Sequence, residues 1–152
     1  MQVSARVDYG IRALVELASR DDGHRVTAEE LAALQGLPEK FLEGILTHLR
    51  RAGLVTSKRG AEGGYLLGRP AERITVADVF RAIDGPIAAV RGQAPEDLEY
   101  PGAAEHLREV WVATRAALRL VLEHVTLADV VRGDLPAQAA AMLAEPGAWE
   151  RR

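Results

Sequence analysis

Cysteine is absent from the 152-residue chain, which excludes disulfides, thiolate zinc sites and an iron–sulfur cluster held by cysteine. Aromatic residues are few, at 5%, yet 48% apolar and 27% charged residues give the ordinary composition of a helical globular protein, not of a disordered one. No apolar run approaches the roughly 18 residues that span a bilayer, and the N-terminus has no basic stretch leading into an apolar segment. A cytoplasmic protein without a membrane partner is expected. Nucleophile-elbow, phosphate-loop and paired-carboxylate signatures are missing too, and Gly60, Gly63 and Gly64 lie between two predicted strands, where a phosphate loop would lie between strand and helix. No acid, base and nucleophile can be assembled, so an enzyme is not expected.

Positive charge is not in excess either. The net charge of −3 taken alone argues against a nucleic-acid binder. Its distribution argues for one. Between Thr47 and Arg69 five cations, Arg50, Arg51, Lys58, Arg59 and Arg69, stand against the single acid Glu62, a net of +4 that leaves −7 on the remainder. A basic face on an acidic body suits specific binding with weak nonspecific binding.

Val3, Val7, Ile11, Leu14, Val15 and Ala18 recur at steps of three and four and predict a supporting helix that ends near Arg20, before Asp21-Asp22-Gly23. Thr27-Ala28-Glu29-Glu30 fits a capping box opening a second, short helix that carries Leu31 and Leu34. Gln35-Gly36-Leu37-Pro38 leaves room for only a tight turn. From Pro38 to about Ala52 a third helix gathers Phe41, Leu42, Ile45, Leu46 and Leu49 on one side and Lys40, Gly44, Thr47 and Arg51 on the other. Gly53 closes it. Leu54–Lys58 and Gly64–Gly68 then bracket Arg59–Gly63 as a hairpin. Thr75–Asp78 repeats the capping logic for a helix with Val76, Val79, Phe80 and Ile83 inward, stopped by Gly85-Pro86. Residues 1–86 thus read as a winged helix-turn-helix with a two-stranded wing, whose usual work is reading duplex DNA.

Residues 87–102 have no periodicity and read as a linker or exposed loop. From Ala103 a long stripe returns, formed by Leu107, Val110, Trp111, Thr114, Leu118, Val121, Leu122 and Val125, with Val112, Ala113, Ala116 and Leu120 beside it. A band that wide needs two neighbours, and the same helix of a second subunit is the simplest second one, so a homodimer is expected. Thr126–Val130 begins a short capped helix, an alanine-rich segment after Pro136 forms another, and both belong with the dimerisation helix to a unit over 103–144. Residues 145–152 are expected to fray. The fold class is therefore mainly α: a winged helix-turn-helix domain with a long C-terminal dimerisation helix.

Lys40, Gly44, Thr47 and Arg51 share one face of the third helix, with Glu43 and Arg50 at its edge. That mixture suits a major groove: a cation donates to guanine, a carboxylate accepts from cytosine N4, and threonine meets a thymine methyl or a phosphate. Gly44 sharpens the reading, because a mid-helix glycine costs about 1 kcal/mol against alanine and its missing side chain brings the helix closer to base edges. Lys58-Arg59-Gly60 at the hairpin tip suits a minor groove, where narrow A·T-rich segments attract arginine. The plainer alternative for both is a solvated helix face and a solvated turn. His24, His48, His106 and His124 are scattered without metal-site spacing, although Glu105, His106 and Glu109 share one short stretch. No metal and no cofactor are expected. Trp111 reads as an anchor of the core or of the dimer interface.

Taken together, these residues resemble a known family. Tyr9, Phe41-Leu42-Glu43, Gly53-Leu54-Val55, Arg59-Gly60-Ala61-Glu62-Gly63-Gly64-Tyr65, Ile74–Val79, Asp84-Gly85-Pro86, Trp111 and Thr126–Asp129 make the chain similar, over most of its length, to the bacterial IscR/NsrR/CymR winged-helix regulators. The hairpin block, at its distance behind Gly53-Leu54-Val55, is the most specific part. The resemblance implies a dimeric transcription factor with recognition helices in successive major grooves and wings in the flanking minor grooves. It further implies that Glu43 reads bases and that Arg59 is the minor-groove contact. Cluster-binding members carry three cysteines between the fourth helix and the dimer helix, and 91–105 of this chain has none. The likeness is therefore to the cluster-free branch, whose members regulate sulfur and cysteine metabolism and take a signal from a partner enzyme such as cysteine synthase.

The leading expectation is a homodimeric, sequence-specific DNA-binding regulator, a repressor on an imperfect palindrome of double-stranded DNA. The alternative is a protein-interaction module on a winged-helix scaffold that no longer binds DNA, with 103–131 as its docking region; overall acidity is its support.

Overall fold

The computed structural model describes residues 2–20 and 23–151. Helix α1 (Ala5–Ala18) starts at Ser4, whose hydroxyl accepts the Val7 N–H at 3.1 Å, and it buries Val7, Gly10, Ala13, Leu14 and Leu17. Ser19 closes it slightly before the predicted Arg20. Val3 precedes the helix and is exposed, so it has no turn to place it on the apolar face. Asp21 and Asp22 of the predicted stop lie outside the described residues.

Helix α2 (Ala28–Gln35) opens on the expected capping box: Thr27 Oγ1 accepts the Glu30 N–H at 3.1 Å, and the Glu30 carboxylate accepts the Thr27 N–H at 2.8 Å. This backbone donation holds the Glu30 carboxyl below its ordinary range. Leu31 and Ala32 are buried, whereas Leu34 faces outward, because a helix of this length touches its neighbours along one narrow strip. Gly36, left-handed at φ 62°, ends α2, and the buried Leu37 returns its N–H to Ala32 O at 2.8 Å. Pro38 sits at the N-cap of α3 (Glu39–Arg51), which inserts Leu42, Ile45, Leu46 and Leu49 into the core, each at most 1% exposed. Phe41 was expected among them; it lies at the rim, 43% exposed, with its ring edge-on to Tyr9 at 5.8 Å.

The wing is an antiparallel pair, β1 (Val55–Lys58) and β2 (Gly64–Leu67), in register from Val55↔Leu67 to Lys58↔Gly64. Val26 adds a bridge on the outer edge, exchanging both backbone hydrogen bonds with Tyr65 at 2.8 and 3.1 Å. Gly64, at φ 130°, permits this approach, since a Cβ there would come within 2.8 Å of the Val26 backbone.

Helices α4 (Val76–Ile83) and α6 (Leu127–Arg132) both open on capping boxes, Thr75 with Asp78 and Thr126 with Asp129. The two caps lie side by side: the Val76 N–H donates to Val125 O and the Leu127 N–H to Ile74 O, both at 2.9 Å. Ile74, Ala77, Val79 and Leu127 complete the core that α1 and α3 begin. The chain beyond α5 (Leu107–Leu122) is thus stitched back onto α4 and the core of the first half.

The segment over 87–102 is more built than its composition suggests. It carries a short 3₁₀ turn at Pro95–Asp97, buries Ile87, Pro95 and Leu98, and is tied to α5 by an Arg115–Glu96 ion pair. A second turn over Gly102–Ala104 delays the start of α5 to Leu107. Helix α7 (Ala137–Leu143) buries Ala139, and past it Trp149 donates its indole N–H to Leu143 O at 3.0 Å.

Candidate nucleic-acid interface

The buried row of α3 fixes what its other face presents. Lys40, Glu43, Gly44 and Arg51 are exposed and Thr47 is half-buried. Among the described residues, the Lys40, Glu43 and Arg51 side chains make no hydrogen bond or ion pair, so their heads are available to an outside partner. Thr47 is different: its hydroxyl donates to Glu43 O at 3.0 Å, one turn back. At Gly44 an added Cβ would meet nothing within 4 Å. The fold does not require that glycine, yet it sits where it weakens the helix. Arg50 and Arg51 in the last turn complement the negative end of the helix dipole.

Arg50 turns from the stripe toward the wing, its guanidinium 3.3 Å from Ser57 Oγ on β1. Lys58 lies 3.7 Å from Glu62 across the hairpin tip, an exposed pair of small energetic weight. Arg59, between them, is exposed and without a partner among the described residues, and Gly60 follows at φ 102°. Helix face and tip thus offer Lys40, Arg51 and Arg59 as cations that no other described residue engages.

Two supports escaped sequence reasoning. Arg12 of α1 donates to the backbone carbonyl and to the side chain of Gln35, whose amide donates to Glu16 at 2.8 Å; this clamps the C-terminal end of α2 against α1. The only signal for it was the acids at four-residue steps, Asp8 and Glu16. Arg25 reaches toward Gly64 O at 3.4 Å and bolts the wing to the entry of α2.

A family model for "Iron-dependent Transcriptional regulator", the Rrf2 model, matches residues 3–133. The chain belongs to the Rrf2 family. It is 51% identical over 140 residues to an HTH-type transcriptional regulator of Mycobacterium tuberculosis, covering 92% of this chain and 87% of that protein. It is 38% identical over 130 residues to the HTH-type regulator CymR of Bacillus subtilis, covering 86% and 89%. Among solved structures it is similar to CymR of B. subtilis, the global cysteine regulator, with a TM-score of 0.74 and 35% identity over 88% of this chain and 98% of that one. It is likewise similar to IscR of T. potens, with a TM-score of 0.71 and 32% identity over 96% and 94%. This Rrf2 protein is therefore a winged-helix, helix-turn-helix transcriptional regulator and not an enzyme.

The iron in the family description meets an unsuitable donor set here. The chain has no cysteine, and no three His, Asp or Glu side chains among the described residues converge to hold a metal ion. His48 Nδ1 donates to Gly44 O at 2.8 Å, leaving Nε2 to accept from Arg6; His124 Nδ1 donates to Leu120 O; His106 pairs with Glu105. The residues present do not fit a resident iron centre.

The residues expected at a dimer interface divide into three groups. Leu107, Trp111, Leu118, Val121 and Leu122 are half-buried, Leu118 and Leu122 against the core of their own subunit. Val110 and Thr114 are exposed, as are Val112 and Leu120 beside them. Val125 does not belong to the stripe: it follows the end of α5, is 6% exposed, and its carbonyl holds α4, so the subunit itself covers it. No described helix is long and apolar enough to cross a membrane.

Proposed function

We propose that this Rrf2 protein is a cytoplasmic homodimer that represses transcription by occupying an imperfect DNA palindrome. One α3 enters each of two successive major grooves, with Lys40, Glu43, Gly44, Thr47, Arg50 and Arg51 on the groove side. Lys58, Arg59 and Gly60 follow the flanking minor grooves. The observation that carries the dimer is α5: none of its sixteen residues is fully buried within its own subunit, and the apolar Val110, Val112 and Leu120 are exposed. A second copy of α5 covers that face, and its two-fold symmetry repeats the reading surface, as half-sites one helical turn apart demand.

Two finer elements rest on kinship and composition. Similarity to CymR supports control of sulfur or cysteine genes, and the lack of cysteine supports a regulator without an iron–sulfur cluster. Its signal then comes from elsewhere, and a metabolic enzyme such as cysteine synthase is the proposed partner. Gel-shift titration of the full chain against genomic fragments, its own upstream region included, is expected to give a salt-sensitive specific complex. Protein purified without oxygen is expected to be colourless and iron-free. The absence of a specific complex with any fragment would favour the interaction-module reading, and stoichiometric iron would overturn the cluster-free one.

A further inference from the structure

We infer that Thr47 is a specificity-determining residue that reads thymine, its Cγ2 methyl packing against the 5-methyl group of one thymine in each half-site. The inference rests on the DNA-binding role proposed above and adds to it the base that this position selects.

The Thr47 hydroxyl proton is committed to Glu43 O at 3.0 Å within α3. A phosphate oxygen or an N7, O6 or O4 acceptor of the groove would have to displace that intrahelical bond, and the oxygen's remaining lone pairs only accept. The donors that the major groove offers are adenine N6 and cytosine N4. Glu43, one turn earlier on the same face and without a side-chain partner among the described residues, is the stronger acceptor for such a donor. What Thr47 adds is its methyl group. Gly44, three residues before it, leaves open space where a Cβ would stand, so a base edge can come close enough for a methyl contact. Lys40 and Arg51, without side-chain partners among the described residues, flank the site where they can hold the DNA backbone on either side. The stripe is thus ordered as cation, acceptor, gap, methyl, cation.

The test begins with selection of a binding site from randomised duplex DNA by the full-length protein. Each thymine of the selected site is then replaced singly by deoxyuridine, which removes only the 5-methyl group, and affinities are measured for wild type, Thr47→Ser and Thr47→Val. One thymine per half-site is expected to matter, with a loss of about fourfold per methyl, the equivalent of one buried methyl or methylene group. Thr47→Ser is expected to lose as much on the thymine site and nothing further on the deoxyuridine site, the non-additivity that marks a direct contact. Thr47→Val, which keeps the methyl and discards the hydroxyl, is expected to bind as wild type. A selected complex in which no thymine distinguishes wild type from Thr47→Ser would overturn the inference while leaving DNA binding intact. So would a Thr47→Val protein that binds worse than Thr47→Ser, since the hydroxyl would then be the reading group. Failure to select any sequence would instead overturn the DNA-binding role itself. Thr47 is half-exposed, and unchanged circular dichroism of both variants establishes that folding is not the variable.

Discussion

Helices α3 and α5, 13 and 16 residues long, treat their apolar residues in opposite ways. Helix α3 hides Leu42, Ile45, Leu46 and Leu49 completely and turns an almost wholly polar face outward. Helix α5 hides none of its residues completely, and Val110, Val112 and Leu120 stand in the open. The first is finished within one subunit, and the face it exposes is the one proposed above for DNA. The second is unfinished, and the surface it exposes is the one proposed above for a second copy. Under the proposed reading, α3 is complete within one chain, whereas α5 is complete only in two.

The sharpest way to break that contrast is to polarise α5. Val110→Asp combined with Leu120→Asp changes only exposed positions, so the subunit is expected to fold normally. Sedimentation is expected to show monomers, and specific DNA affinity to fall by about a hundredfold or more as two linked contacts become one. A dimer that survives both substitutions would place the interface elsewhere. Next in size is Arg59→Ala at the wing tip. Arg59 has no partner among the described residues, so melting temperature and oligomeric state should not move. Affinity is expected to drop by roughly tenfold to a hundredfold, the usual range for one arginine contact in a groove. Unchanged gel-shift affinity would remove the wing from the interface.

The reading half was legible in the sequence because its signals are local. Capping boxes at Thr27 and Thr75, a left-handed glycine at 36, and the alternation of inward and outward residues on α3 are each decided within a few residues. Misplacements arose where a position depends on distant packing. Phe41 moved to the rim because Tyr9 of α1 meets it there, and Val125 moved inward because α4 needs a carbonyl at that point. The Val26–Tyr65 bridge, the Arg12 clamp on Gln35 and the folding of 87–104 onto α5 join residues far apart in the chain, and no periodicity announces them. Composition misled for the same reason: a segment rich in glycine and proline reads as loose, yet Leu98 within it is 1% exposed.

Gly44 sharpens the contrast between a face built for the fold and one built for a partner, because the two demand opposite residues. With open space at the missing Cβ, Gly44→Ala is expected to stabilise the isolated protein by about 1 kcal/mol, through helix propensity and a less entropic unfolded chain. The same methyl group would stand between α3 and the bases, so affinity for the selected site is expected to fall while melting temperature rises. A variant gaining in both measurements would show that no base edge approaches Gly44.

The smallest expected effect concerns the join between the two regions. Glu123, just past α5, receives hydrogen bonds from Arg119 of α5 and Arg81 of α4, and its carboxyl is held below the ordinary value of 4.5, first by Arg119 and then by Arg81. The folded protein therefore takes up this proton less readily than the unfolded chain. The stabilisation is complete above about pH 4.5 and is lost as pH falls through the lower folded value. The site is open to water, so the effect is modest. In melting curves from pH 7 to pH 3, wild type is expected to exceed Glu123→Gln by a constant small margin at the neutral end, and the two are expected to converge in acid. A margin that persists unchanged at pH 3 would mean that the Arg81–Glu123–Arg119 link does not hold α4 to α5. The reading and pairing regions would then be joined by the Val76–Val125 and Ile74–Leu127 hydrogen bonds and by apolar packing, neither of which responds to that proton.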